Sequence, residues 1–325
     1  CPRGNRGGVG RVTEPTRGVL AILAACTVWG LSPIFYTQLA HVPPLELLSH
    51  RTLWSLLFFG GILFIQGRLG QLKQLLAGRR AVLLVGVAAL MISANWFLFI
   101  LSTQIGQVTE SSLGYYIFPL VAVALGRVVL GDRLSRAQAC AVALAACGVF
   151  ALIIGVGVVP WVSLALALTF GFYGLIKGRV AAGPVVSVSG EVALLAPLAM
   201  IWLWGVHTQG WTGLVGRNVG GFGQDAGTTL LLMLSGPITA GPLILFSYAT
   251  RRIRLATVGI VQYVNPTLQF FCAIVVFGEG FSSAQALAFG LIWAALAIYS
   301  VSAFRADQAG RRAVRAASTV STTVT

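Results

Sequence analysis

Apolar runs of about the length of a membrane-spanning helix recur along almost the whole chain, separated by charges, glycines or prolines. A helix that crosses a bilayer needs about 20 mostly apolar residues. The runs that reach this length are 18–38, 45–66, 81–101, 109–130, 137–155, 159–176, 185–206, 228–249, 256–277 and 284–303. The pattern therefore predicts an all-α polytopic membrane protein with ten transmembrane helices. The first run is expected to be retained, because the polar and aromatic stretch at 29–33 does not fit the core of a cleaved signal peptide.

The two halves of the chain match each other when the sequence is shifted by 147 residues. The aligned pairs are Tyr116 and Tyr263, Pro119 and Pro266, Gly131 and Gly278, Asp132 and Glu279, Ser135 and Ser282, Ala137 and Ala284, and Gln138 and Gln285. Because each half contains an odd number of helices, the second half must enter the membrane from the opposite side, which makes a 5+5 inverted repeat. The predicted division is an N-terminal tail 1–16, a first repeat 17–155, a second repeat 156–304 and a C-terminal tail 305–325.

Composition and charge agree with a membrane protein. Of the residues, 57% are hydrophobic and 9% charged, against roughly 25% charged in soluble domains. The net charge of +14 does not indicate nucleic-acid binding, since Lys and Arg form short clusters between the apolar runs. With ten helices and both termini in the cytoplasm, all but two of the 22 Lys and Arg residues lie on the cytoplasmic side, where loops of membrane proteins accumulate Lys and Arg. The two exceptions are Arg51 and Arg217.

The sequence offers no sign of catalysis, metal binding or a cofactor. It contains no HExxH, GxSxG or Walker pattern, and its five cysteines show no CxxC spacing. We therefore expect no enzyme activity, no metal and no cofactor.

Two matched prolines are candidate hinges. Pro119 and Pro266 fall near the middle of the fourth and ninth predicted helices, and breaks at matching positions of two repeats indicate a binding site. Alternatively, proline is simply more frequent in membrane helices. Beside Pro266, the amides Gln262, Asn265 and Gln269 share one helical face, and they line a substrate pathway or else join helices by hydrogen bonds.

Three charged residues fall within or near the ends of apolar runs. Arg51 lies about six residues into the second helix, where burial at mid-bilayer costs at least ~2.5 kcal/mol. It binds an anionic group of a substrate, or it reaches the membrane surface or pairs with Glu46 or Glu110. Glu110 and Glu191 are candidates for proton coupling, with structural pairing as the alternative.

The remaining pathway candidates are polar or aromatic residues of helices that should face the bundle interior. The predicted substrate-binding set is Arg51, Tyr116, Tyr263, Gln262, Asn265, Asn95, Trp96, Trp29 and Tyr173. The fifth and tenth helices have almost no polar residues and are predicted to be peripheral, facing lipid or a second copy in a homodimer.

Several motifs together resemble one family. They are Trp29-Gly30-Leu31-Ser32-Pro33, Glu46-x3-His50-Arg51-x2-Trp54-Ser55, Asn95-Trp96, Glu110-Ser-Ser-Leu-Gly-Tyr115, Phe172-Tyr173-Gly174-Leu175 and Gln262-Tyr263-Val-Asn265-Pro266. Their order and spacing resemble RarD-type permeases of the EamA family, in the drug/metabolite transporter superfamily. The resemblance implies ten helices in two EamA repeats, an inner-membrane location, and export of metabolites or drugs, with chloramphenicol sensitivity attached to the family name. Thr37 and Phe118 depart from the Lys and Asn expected in many relatives.

The leading hypothesis is a secondary transporter that exports small amphipathic organic solutes, amino-acid-like or drug-like, by alternating access. The alternatives are an obligate metabolite exchanger and a non-transporting membrane scaffold or receptor. The expected partners are a small-molecule substrate and the lipid bilayer, and not nucleic acid.

Overall fold

The computed structural model describes residues 14–131, 135–156, 159–211, 220–250, 252–253 and 261–322. Within these ranges every regular element is a helix, as the apolar pattern predicts. The helices are α1 (Glu14–Gln38), α2 (Pro44–Ile65), α3 (Leu69–Ala77), α4 (Arg79–Gln104), α5 (Val108–Leu125), α6 (Arg136–Val156), α7 (Trp161–Lys177), α8 (Pro184–Gln209), α9 (Ala226–Thr250), α10 (Val264–Phe271) and α11 (Ser283–Thr322). Two π-helical segments, Gly126–Leu130 and Cys272–Val276, continue α5 and α10.

Eight helices of the described part are long and apolar enough to cross a membrane. They are α1, α2, α4, α5 with its π-helical extension, α6, α8, α9 and the first half of α11. The predicted sixth and ninth spans correspond to shorter apolar helices, Trp161–Lys177 and Val264–Val276. The start of the predicted ninth span, 256–260, lies outside the described residues. The chain is thus a multi-pass all-α membrane protein.

Two elements differ from the sequence-based prediction. The charged connection after the second span contains the short helix α3, whose leucines Leu72 and Leu75 pack against α8 and α4. Helix α11 continues to Thr322, so the segment 305–322, predicted as a tail, is helical. The predicted N-terminal tail lies outside the described residues except for its last three positions, which begin α1.

The helices pack in a regular order. Helix α1 packs against α9 and α10, and α7 packs against α4 and α5. Helix α2 contacts α8 and α9, while α4 contacts α7 and α8. Two further contacts join α5 to α10 and α6 to α11.

Helices α6 and α11 lie at the periphery, as predicted. Their facing sides form a buried cluster with α5 that includes Leu120, Ala145 and Ile292. Their outward sides expose Phe150 (64% exposed) and Leu287 (58%). Exposed apolar side chains of this size suit contact with lipid.

The starts of α6 and α11 carry the same capping motif. The Ser135 N–H donates to Gln138 Oε1 at 2.9 Å, and the Gln138 N–H donates to Ser135 Oγ at 3.2 Å. Ser282 and Gln285 repeat both bonds, at 2.7 and 3.2 Å. Such a capping box satisfies backbone donors that a helix start leaves unpaired.

Hydrogen bonds fasten α5 to the α10 region along one helical face. The Glu279 carboxylate accepts the N–H groups of Val108 (2.6 Å) and Thr109 (2.8 Å) at the start of α5. Further along, Ser112 Oγ donates to the Pro266 carbonyl at 2.8 Å. Tyr116 Oη and the Thr267 hydroxyl lie 2.7 Å apart.

Helices α2 and α9 cross closely because Gly236 has no side chain. Ser55 Oγ donates to the Gly236 carbonyl at 3.4 Å. A Cβ atom at position 236 would lie 2.5 Å from the Trp54 carbonyl carbon and 2.6 Å from the Ser55 nitrogen. Both neighbours are backbone atoms, which cannot rotate away.

We expect Gly236→Ala to destabilise the protein, because overpacking of this kind costs about 1–3 kcal/mol. Gly241→Ala on the same helix is the matched control, since nothing lies within 4 Å of its Cβ position and alanine favours a helix by about 1 kcal/mol over glycine. Thermal unfolding in detergent should show a lower Tm for the first variant only. Equal Tm values for the two variants would contradict the close crossing.

Candidate functional site

Arg51 is buried in the second turn of α2, without an acidic partner in the described part of the chain. Its side chain is 5% exposed, and its Cζ atom lies 4.1 Å from the centre of the Trp96 ring and 5.7 Å from that of Tyr36. Its Nε and Nη1 atoms are buried and have no hydrogen-bond partner among the described residues. In that part of the chain the one ion pair is Lys177–Glu191. Arg51 is therefore buried within the bundle and pairs with neither Glu46 nor Glu110.

Aromatic side chains from three helices surround this charge. Tyr36 of α1 packs edge-on against Phe99 of α4, with ring centres 5.8 Å apart. Phe99 in turn contacts Tyr115 of α5 at 6.0 Å. We call Tyr36, Arg51, Trp96, Phe99 and Tyr115 the Arg51 cluster. It combines a positive charge with aromatic surfaces and two phenolic hydroxyls.

Asn95 holds the Arg51 cluster in place from α4. The Asn95 amide donates to the Leu166 carbonyl (2.9 Å) and to Thr169 Oγ1 (3.0 Å), both on α7. Its Oδ1 atom accepts the Tyr115 hydroxyl at 3.0 Å. Asn95, 1% exposed, thus positions Tyr115.

A turn at Gly220–Gly223, the Phe222 turn, packs against the Arg51 cluster near the start of α2. Both Glu46 carboxylate oxygens accept backbone N–H groups there, from Gly221 at 2.7 Å and from Gly220 at 3.0 Å. The Phe222 ring stacks on His50 with ring centres 4.8 Å apart. It also packs against the buried apolar group that contains Tyr36 and Phe99. Gly220 and Gly223 have φ values of 85° and 84°, which glycine adopts readily.

Glu191 belongs to a separate polar group between α7 and α8. Its carboxylate pairs with Lys177 and accepts the Tyr173 hydroxyl at 3.1 Å and the Ser187 hydroxyl at 3.4 Å. Glu191 is 1% exposed. The structure therefore gives Glu191 the structural pairing that the sequence left as an alternative.

Glu110 stands near the start of α7. Ser163 Oγ of α7 donates to the Glu110 backbone carbonyl at 2.8 Å. The Oε2 atom is buried and has no hydrogen-bond partner among the described residues. Of the two glutamates proposed for proton coupling, Glu110 is the one with a free buried oxygen.

The matched tyrosines meet away from the Arg51 cluster. Tyr116 and Tyr263 stack with ring centres 6.5 Å apart. Tyr116, 3% exposed, also packs against Phe289 and Trp293 of α11. Both tyrosines therefore lie in the contact of α5 with α10 and α11.

The other predicted residues near Pro266 and in α1 form local contacts. Asn265 Oδ1 accepts the Gln269 amide at 3.0 Å, and the Asn265 N–H donates to the Gln262 carbonyl at 3.1 Å. The Trp29 ring lies 6.3 Å from Phe246. Pro266 is buried near the start of α10, just after a turn, whereas Pro119 lies inside the continuous helix α5.

The structure therefore unites only part of the predicted set. Arg51 and Trp96 are in contact, and Asn95 supports them through Tyr115. The predicted residues that lie in other groups are Trp29, Tyr116, Tyr173, Gln262, Tyr263 and Asn265. Three members of the Arg51 cluster, Tyr36, Phe99 and Tyr115, were missed. The sequence did contain a signal for Tyr115, because it stands next to the repeat-matched Tyr116. Neighbouring residues of a helix face different directions, so the two tyrosines contact different parts of the bundle.

The fold and the Arg51 cluster define a multi-pass membrane protein with a charged, aromatic interior site. Residues 16–154 match the EamA-like transporter family. An uncharacterized transporter of Vibrio cholerae is 38% identical over 92% of this chain and 97% of its own length. Protein RarD of Salmonella typhimurium is 37% identical over 89% of this chain and 96% of its own length.

The chain belongs to the EamA-like transporter family, as a RarD-type permease of the drug/metabolite transporter superfamily. It is therefore a transporter, and the family prediction is confirmed. A solved crystal structure is similar in fold, with a TM-score of 0.57 at 18% identity over 89% of this chain and 98% of the other.

We expect Lys177→Met to lower stability, because removing one partner of a buried ion pair leaves an uncompensated charge and costs about 3–5 kcal/mol. The side chain of Lys177 is 22% exposed, so the low end of that range applies. The double variant Lys177→Met, Glu191→Met should recover part of the loss. Lys73→Met, at an exposed position of α3, is the control. The Tm of the wild type and of the three variants is measured by thermal unfolding. Equal Tm values for Lys177→Met and the double variant would contradict a coupled pair.

Proposed function

We propose that this permease is a secondary-active transporter that exports small amphipathic organic solutes bearing a carboxylate or similar anionic group, such as amino-acid-like metabolites. The observation that carries the proposal is Arg51, whose buried guanidinium has unused donors and no acid among the described residues. Burying a charge without a partner is expensive. Its retention is accounted for if the partner arrives with the substrate.

The neighbours of Arg51 indicate what else the solute carries. Cation–π contact with Trp96 and Tyr36 offsets the burial of the charge by about 2 kcal/mol or less, and it leaves the N–H donors at the edge of the guanidinium unused. A carboxylate matches that edge with two parallel hydrogen bonds. The rings of Tyr36, Phe99 and Tyr115 offer apolar surface to the rest of the molecule.

Helix pairing supports a ten-helix inverted repeat, with repeats 17–155 and 156–304. If α1, α2, α4, α5 and α6 correspond to α7, α8, α9, α10 and α11, each of the nine principal pairings among the described helices maps onto another of them or onto itself. These pairings are α1–α9, α1–α10, α2–α8, α2–α9, α4–α7, α4–α8, α5–α7, α5–α10 and α6–α11. The two capping boxes and the two π-helical segments, followed by Gly131 (φ 74°) and Gly278 (φ 65°), fit the same correspondence. Charge distribution supports cytoplasmic termini in a bacterial inner membrane.

Arg51 and Glu191 occupy corresponding positions in this arrangement. Helix α2 begins at Pro44 and α8 at Pro184, so each charged residue follows its helix start by seven positions. An inverted repeat places them at opposite depths of the bilayer. Alternating access then exchanges the conformations of the halves, with Pro119 and Pro266 as hinges and Glu110 as the candidate for proton coupling.

Counterflow in proteoliposomes tests the proposal. Vesicles preloaded with a mixed amino-acid pool are challenged with single labelled solutes, and chloramphenicol forms a separate arm. Arg51→Gln should lower the initial rate for the accumulated solute about tenfold or more, because charge-assisted hydrogen bonds contribute about 1.5–3 kcal/mol. Arg51→Lys keeps the positive charge but loses the two parallel N–H donors of the guanidinium group. Its initial rate should lie between those of the wild type and Arg51→Gln.

Arg79→Gln is the matched control, because Arg79 is exposed at the start of α4. Its rate should equal that of the wild type. Size-exclusion profiles and Tm values establish that each variant is folded. A folded Arg51→Gln protein with the wild-type rate would contradict the proposed role of Arg51.

A further inference from the structure

All three histidines of the chain lie toward one end of the helix bundle, and two of them face a carboxylate. One ligand atom each of Glu46, His50 and His207 lies within 4.8 Å of the other two. Glu46 and His50 belong to the first two turns of α2, and His207 belongs to the last turn of α8. This group is distinct from the Arg51 cluster, and the transport proposal assigns it no role.

His50 lacks a partner that would explain its burial. It is 6% exposed, and its Nε2 atom has no hydrogen-bond partner among the described residues. The ring is fixed by stacking on Phe222, with centres 4.8 Å apart. Leaving a buried polar atom without a partner is unfavourable, and metal coordination is one way to satisfy an imidazole nitrogen.

Glu46 is held in a way that suits a ligand. Each of its oxygens accepts one backbone N–H, from Gly220 or Gly221. A carboxylate has about four lone-pair sites, so lone pairs remain for a cation. Hydrogen bonds of this kind orient a metal ligand from behind.

We propose that Glu46, His50 and His207 bind a divalent transition-metal ion, zinc in the first instance, and so join the start of α2 to the end of α8. Two imidazoles and one carboxylate are a donor set that suits zinc, with a fourth position left for water or an anion. Hard cations such as magnesium prefer oxygen donors alone.

The three ligand atoms must move closer together when the metal binds. With zinc–ligand bonds of about 2.0–2.1 Å, ligand atoms around a tetrahedral ion lie about 3.4 Å apart. His207 is the residue free to make this movement, because it is exposed and lies three residues before Gly210, which ends α8 with a φ of 64°.

Isothermal titration of the purified, metal-free protein in detergent with zinc chloride tests this site. We expect one zinc ion per chain, and binding at least tenfold weaker in His207→Ala, since His207 is exposed and its loss should not disturb folding. His41→Ala is the matched control, because His41 bonds to Thr228 at 3.0 Å and should leave zinc binding unchanged. Titration with cobalt should give the visible absorption of a four-coordinate site with nitrogen and oxygen ligands.

Three outcomes would overturn the site. They are absence of stoichiometric zinc binding, equal affinity in His207→Ala and the wild type, and a thiolate-to-cobalt charge-transfer band, which would assign the metal to cysteines such as the exposed Cys140 and Cys147. None of these measurements depends on transport.

Discussion

The buried guanidinium group of Arg51, which has no carboxylate partner among the described residues, is the feature around which this protein is organised. The chain has only eight acidic residues, and several of them are used elsewhere. Glu279 binds the first N–H groups of α5, Glu46 binds N–H groups of the Phe222 turn, and Glu191 pairs with Lys177. Backbone donors at helix ends and turns need partners wherever water is excluded. These three acids thus satisfy the backbone or Lys177, and among the described residues Arg51 is surrounded by aromatic rings.

Aromatic rings are well suited to surrounding a buried cation such as that of Arg51. A ring face attracts a cation but cannot accept two directed hydrogen bonds as a carboxylate does. The positive charge is therefore tolerated while its hydrogen-bonding edge stays unused. A glutamate at the position of Trp96 would stabilise the resting protein better and would also compete with an anionic substrate. In the proposed function, recognition of the anionic group depends on this incomplete neutralisation of Arg51.

Sequence patterns predicted the helices far better than the site. Apolar runs of bilayer length set most helix positions directly, and shifts of a few residues follow from end capping. The apolar run at 159–176 corresponds to the short helix α7. Pro160 stands just before the first residue of α7 and Gly178 just after its last. Helix α3 was missed because its nine residues are far fewer than a membrane span needs. Its leucines pack only against residues of neighbouring helices such as Val85 and Gly190.

Contacts distant in sequence explain why the site was only partly predicted. Asn95 looked like a pathway residue because it is polar within an apolar run, yet its partner Leu166 is 71 positions away. The repeat favoured Tyr116 over Tyr115, although Tyr115 is the one beside Phe99. Internal symmetry identifies residues where the two halves meet, and such residues need not touch a solute.

The spacing of the bonds between α5 and α10 has a mechanical consequence. Val108, Ser112 and Tyr116 are each four residues apart, so successive turns of one helix face are tied to the segment from Pro266 to Glu279. These bonds couple the first nine residues of α5 to this segment. Pro119 lies just beyond the last of these bonds. If Pro119 acts as the proposed hinge, the stretch from Leu120 to Leu130 would swing relative to the fastened part of α5.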